Sequence, residues 1–170
     1  MLPKSYLVFK WLIYALATLL FFALQSLVLN HIRVWNLLPF LYPVLPAVAA
    51  MYEGPRRGPV FALCLGVVCD LLLPVPFLGF FTIIFTVIAI FSAFIAENFI
   101  SPNLLCAFVV SACGMFLTGG FRILVQILSG GEDLSLMVRT AGIEAGLTLP
   151  FVVLVMPVYR GIHRRCGTDY

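Results

Sequence analysis

Charge is scarce in this chain. Ten Lys/Arg and seven Asp/Glu make up 10% of its 170 residues, where an ordinary globular domain carries about 25%. That shortage, with 63% hydrophobic residues and a mean hydropathy of +1.14, excludes a conventional water-soluble fold and leaves no stretch polar enough for a separate soluble domain. Histidine is nearly absent, with only His31 and His163. No H-E-x-x-H occurs, and none of Cys64, Cys69, Cys106, Cys113 and Cys166 forms a C-x-x-C pair. Metal and redox chemistry therefore lack their usual ligand spacing, and neither metal nor cofactor is expected. The cysteines read as small buried residues. Basic residues sit at the ends of apolar runs and make no basic face, which argues against nucleic-acid binding. Asp70 lies in GVVCD with no second matching acidic motif, so intramembrane aspartyl proteolysis lacks its pair. No catalytic residues are expected, and the chain reads as a non-enzyme.

What the chain has in quantity is apolar runs. WLIYALATLLFFALQSLVL (11–29) is long enough to cross a bilayer and too long for a signal-peptide core. Residues 37–52 are apolar but interrupted by Pro39, Pro43 and Pro46, which predicts a short, kinked or re-entrant segment. Further spans are expected at 58–73, 77–96, 104–128 and 141–159, with SGGEDLSLMVRT (129–140) as the longest polar loop. The expected fold is all-α: a polytopic bundle of six transmembrane helices in one membrane-embedded domain. Six spans put both termini on one side. That side then holds Lys4, Lys10, Arg56, Arg57, Arg160, Arg164 and Arg165, and the other holds Arg33 and Arg139. Lys and Arg concentrate in cytoplasmic loops, so both termini are expected inside.

Residues 53–80, EGPRRGPVFALCLGVVCDLLLPVPFLGF, concentrate the unusual features. Arg56 and Arg57 open the stretch, and Asp70 stands alone inside an apolar run. A charge at bilayer depth needs a partner. Arg122 and Glu144 fall in the same half of the bilayer as Asp70, and Arg122 is expected to bridge Asp70, Glu144 or both. Ala62, Gly66 and Asp70 recur every four residues on one helix face, where small side chains permit close helix approach. Gly142 and Gly146 form a G-x-x-x-G that reads as a second packing face, with Glu144 pointing away from it. The three charges read as helix-packing glue or as a polar ligand pocket. His31, beside Trp35, reads as an interfacial residue.

LQSLVLNHIRVWNLLPFLYP (24–43) and GVVCDLLLPVPFLGF (66–80) resemble the MreD family of bacterial rod-shape membrane proteins. The informative positions are Asn30, His31, Gly66, Asp70 and Gly79. Pro74 and Pro76 stand where the family has a glycine or serine. The resemblance implies a non-enzymatic scaffold in the bacterial plasma membrane that works with MreC, RodA and PBP2, and indirectly with MreB filaments, to position peptidoglycan synthesis. It also implies a six-helix bundle like the substrate-binding subunits of energy-coupling-factor vitamin transporters, and hence the alternative of a small-molecule-binding transport subunit.

Overall fold

The computed structural model describes residues 4–27, 40–73, 77, 79–99, 101–130 and 134–166. Among them every regular element is helical: α1 (Lys4–Leu27), α2 (Val44–Leu72), α3 (Phe80–Asn98), α4 (Leu104–Leu128), α5 (Leu134–Thr148), a 3-10 turn (Leu149–Phe151) and α6 (Val152–Cys166). Four stretches are long and apolar enough to cross a membrane: Phe9–Leu27, Phe80–Asn98, Leu104–Leu128 and Ser135–Arg164. The chain is an all-α, membrane-embedded protein. Its outer surface is apolar, as lipid requires: Leu12, Leu16, Leu19, Leu20, Phe91, Phe94, Phe116 and Leu128 are all exposed.

α2 is two helices joined at a sharp bend. Gly54 has φ 76° and ψ −178°, outside helical space. A side chain on Gly58 would lie 2.7 Å from the Ala50 Cα. Residues eight apart in a straight helix are separated by about 12 Å, so the chain reverses at Gly54 and its two arms pack antiparallel. The local chemistry fits. Glycine ends the first arm in a conformation other residues avoid, and Pro55 opens the second, where a missing N–H costs nothing. Gly58 then brings the two backbones together against Ala50.

The first arm, residues 44–53, is about 15 Å long and is buried on every side from Val44 to Met51. The prolines expected to interrupt this region sit instead at its start. Pro43 caps the arm and Pro46 lies in its first turn, where helix N–H groups have no intrahelical acceptor anyway. The preceding backbone is satisfied from outside. Gln25 accepts from Leu41 N at 3.2 Å, and Thr148 Oγ1 accepts from Phe40 N at 2.9 Å. Helix is thus described only from Val44, while residues 37–39 lie outside the described residues.

Other boundaries also differ from expectation. Residues 134–140 are helical, not loop, because LSLMVRT contains no breaker once Gly130 (φ 78°) has turned the chain out of α4. The expected last span, 141–159, is the middle of a longer rod in which Pro150 imposes the 3-10 turn between α5 and α6. α1 begins at Lys4, before residue 11, and α3 runs from Phe80 to Asn98 and not from 77 to 96.

Contacts between helices fix their directions. α1 meets the bend of α2 at its start and residue 41 near its end. It therefore runs parallel to the second arm of α2 and antiparallel to α6, whose Tyr159 stacks on Phe21 and packs at a tilt against Tyr14. The start of α1 and the C-terminal part of α6 lie at one end of the bundle, called the near end below.

Candidate functional site

Asp70 is held by the start of α3. Its Oδ1 accepts from Phe81 N at 2.8 Å, and its Oδ2 accepts from Thr82 N at 3.0 Å and Thr82 Oγ1 at 2.6 Å. The first N–H groups of α3 have no intrahelical acceptor, and the helix dipole puts positive charge there, so a carboxylate is the fitting partner. Gly79 turns the chain into α3 with φ 93° and offers no capping side chain of its own, so Asp70 supplies the cap from another helix. Gly66 makes the reach possible. A Cβ there would stand 2.4 Å from the Thr82 Cα, so the two backbones touch. The stripe Ala62, Gly66 and Asp70 faces α3, and all three are buried.

Arg122 and Glu144 form a separate pair. Arg122 Nη1 donates to Glu144 Oε2 at 3.2 Å, and the Arg122 guanidinium lies 5.9 Å from the Phe40 ring centre. Of the expected alternatives, Asp70, Glu144 or both, Arg122 meets Glu144 alone among the described residues; the carboxylate of Asp70 is already occupied by three donors of α3. Gln126, Thr140 and Met137 complete a void of about 60 Å³ beside the pair. Gly142 and Gly146 are exposed, and a Cβ added at either would have nothing within 4 Å outside its own helix backbone. They pack no helix of this chain, because α5 turns Ala141 and Glu144 toward α4 and leaves the glycines on the outside. The close α4–α5 approach is instead at Gly119, where an added Cβ would stand 3.3 Å from the Ala141 Cβ. Asn30 and His31 lie outside the described residues.

Two further buried charges were not among the expected site residues. The Glu53 side chain, at the bend of α2, is 2% exposed, and that of Lys10 6%. Lys10 Nζ and the Tyr14 hydroxyl each donate to Glu53 at 2.7 Å, and His163 Nδ1 lies 3.5 Å away. Burial pushes the Glu53 carboxyl up, but hydrogen bonds from Lys10 and Tyr14 outweigh it and hold it below the ordinary carboxylate value. One helical turn on, Thr18 donates to the Tyr14 carbonyl, which leaves the Tyr159 hydroxyl to donate to Thr18 Oγ1 at 3.1 Å. The signal was in α1. Lys10, Tyr14, Thr18, Phe21 and Gln25 recur every three or four residues, and all five are buried. In lipid the polar stripe of a helix faces inward.

A groove of about 800 Å³ lies between α1 and the second arm of α2. Trp11, Ala15, Leu19, Phe22 and Ala23 line one wall, and Val60, Cys64, Val68 and Leu72 the other. The walls meet at the near end, where Trp11 and Tyr14 pack on Phe61 with ring centres 6.1 and 5.8 Å apart. Above that contact the groove is almost wholly apolar.

No protein-family model, no curated protein and no solved structure matches this chain.

Proposed function

We propose that this chain is a scaffold subunit of the bacterial cell-elongation machinery, of the MreD kind, which binds an MreC-like protein and helps position peptidoglycan synthesis by RodA and PBP2. One observation carries the reading: an apolar groove of about 800 Å³ runs along the flank of the bundle. A scaffold needs such a surface for a neighbour's helix. A vitamin-binding transport subunit needs a pocket with several convergent polar groups, typically about 300–1,000 Å³. The polar void beside Arg122 and Glu144 is about 60 Å³, too small for a vitamin.

The internal charges support the same reading. Asp70 is taken up by α3, and Glu53 by Lys10 and Tyr14. Each has a structural partner and neither awaits a substrate. In this account the chain crosses the bacterial plasma membrane six times in a bundle like that of the vitamin-transporter subunits. Residues 37–52, which include most of the short first arm of α2, form the second pass and the second arm forms the third, and both termini are cytoplasmic, with Arg56, Arg57, Arg160 and Arg164 at the near end. Depletion of the protein from its host should turn rod-shaped cells round, with recovery on re-expression. Cells that keep their shape and instead require an added vitamin would place the protein in transport.

A further inference from the structure

The small void between α4 and α5 is built from two polar pairs, each spaced one helical turn apart: Arg122 and Gln126 on α4, Thr140 and Glu144 on α5. Residues four apart share a helix face, so all four side chains line one space. Their hydrogen-bonding capacity is not used up within the chain. Arg122 Nη1 donates to Glu144 Oε2 at 3.2 Å, and neither side chain makes another hydrogen bond among the described residues. The Gln126 amide makes none among them. Thr140 donates its hydrogen to the Met137 carbonyl at 2.9 Å, which leaves its oxygen free to accept. Polar groups at the edge of hydrocarbon are costly to leave unpaired.

Two independent paths give the height of these groups. Gly114 lies beside the Pro43 carbonyl, level with the start of the first arm of α2. That arm descends about 15 Å to Glu53, and α4 climbs about 12 Å from Gly114 to Arg122. Along α5 and α6, Glu144 stands about 28 Å from His163, which lies beside Glu53. A hydrocarbon core of ~30 Å that begins at the near-end charges therefore ends at the void, where lipid headgroups begin. Arg122 is at the mouth, 49% exposed, and Glu144 is deeper, at 20%. About 60 Å³ holds about four groups the size of water, which matches an aminoethyl group with its ester oxygen. Charge selects the rest. An anion alone meets Glu144, and a cation alone meets Arg122. A group that carries both signs satisfies both: phosphate oxygens accept from Arg122 and Gln126, and a primary ammonium donates to Glu144 Oε1 and Thr140 Oγ1. A trimethylammonium is wider and has no hydrogen to donate.

We infer that this void binds a phosphoethanolamine group, carried by a phospholipid or by a solute, with its ammonium on Glu144 and Thr140 and its phosphate on Arg122 and Gln126. The site is separate from the groove between α1 and α2 and does not depend on the scaffold reading.

Native mass spectrometry of the delipidated full chain tests it. The protein is mixed with equal amounts of phosphatidylethanolamine, phosphatidylcholine and phosphatidylglycerol that carry identical acyl chains. The expected result is a phosphatidylethanolamine adduct severalfold above the other two. Glu144→Gln and Thr140→Val should each bring that adduct down to the phosphatidylcholine level and leave the other two adducts unchanged. Thr140→Val keeps the ion pair, so it carries the comparison where Glu144→Gln does not give monodisperse protein. Soluble phosphoethanolamine separates the two sources. Displacement of the lipid at millimolar concentration means that the headgroup alone is recognised and a solute can supply it; no displacement makes the lipid the ligand. Equal retention of all three lipids by the wild type, with no thermal stabilisation by phosphoethanolamine, would overturn the inference. So would a phosphatidylethanolamine preference that survives both substitutions, since the lipid would then be held elsewhere.

Discussion

Replacing Asp70 with asparagine isolates what the carboxylate does for the bundle. Asparagine has nearly the same shape but only one acceptor oxygen. That oxygen satisfies either Phe81 N or Thr82 N, and the new amide nitrogen then faces the other donor. A buried N–H left without an acceptor costs about 1–3 kcal/mol. The lost interaction of the negative charge with the start of α3 adds about 0.5–2 kcal/mol in a partly buried setting. The Thr82 hydroxyl can rotate to accept from the amide, so its bond is largely kept. Together Asp70→Asn should cost about 3 kcal/mol, which for a chain of this length lowers the melting temperature by about 6–12 °C. Fluorescence-detected size-exclusion chromatography of heated samples in mild detergent measures this directly. Thr82→Val, which keeps both backbone donors and loses only the hydroxyl, should cost about 1 kcal/mol. An Asp70→Asn protein that melts with the wild type would refute the cap, and would return Asp70 to consideration as a partner- or ligand-binding group.

Gly66→Ala should be worse than the loss of the cap alone, because the new methyl cannot fit 2.4 Å from the Thr82 Cα; overpacking costs about 1–3 kcal/mol, and the separated helices also lose Asp70, seen as reduced yield of monodisperse protein. Arg122→Leu combined with Asp70→Asn should show additive losses within about 0.5 kcal/mol, since the two charges have different partners; rescue would contradict the geometry. Lys10→Met should destabilise by about 3–5 kcal/mol because it strands Glu53, while Lys10→Met with Glu53→Gln should recover much of that loss in the same melts. The folded Glu53 carboxyl lies below its ordinary value, so the stability it contributes is present above the unfolded value of about 4 and is lost as pH falls through the folded one. Melts taken from neutral to acid pH should show that decline, and Glu53→Gln should flatten it.

Composition alone made the membrane class legible, and the all-helical fold followed from the long apolar runs. The stripe Ala62, Gly66 and Asp70 was legible as a face, because spacing of four is a property of the helix itself. Its partner was not, because the need of α3 for an external cap shows only once Gly79 is known to leave its first N–H groups open. Intramembrane charges invite pairing with one another, yet a helix start is an equally good counter-charge. Glu53 drew no reading of its own, because it falls between the expected spans 37–52 and 58–73, beside Arg56 and Arg57. The reversal at Gly54 instead tucks Glu53 under α1. Pro43 and Pro46 read as interruptions of a helix, where they open one. Residues 134–140 read as a loop on polarity, although their helix-forming residues needed only a start after Gly130.

The central claim is that this protein holds other membrane proteins of wall synthesis together, and purification from its own host tests that most directly. The tagged chain is extracted in gentle detergent and everything that remains bound is identified by mass spectrometry. The account predicts an MreC-like single-span protein together with RodA or PBP2, and reduced recovery of that protein from an Ala23→Trp variant, whose indole fills the groove between α1 and the second arm of α2. Recovery of a transmembrane coupling protein with its ATPase subunits, unaffected by Ala23→Trp, would contradict it.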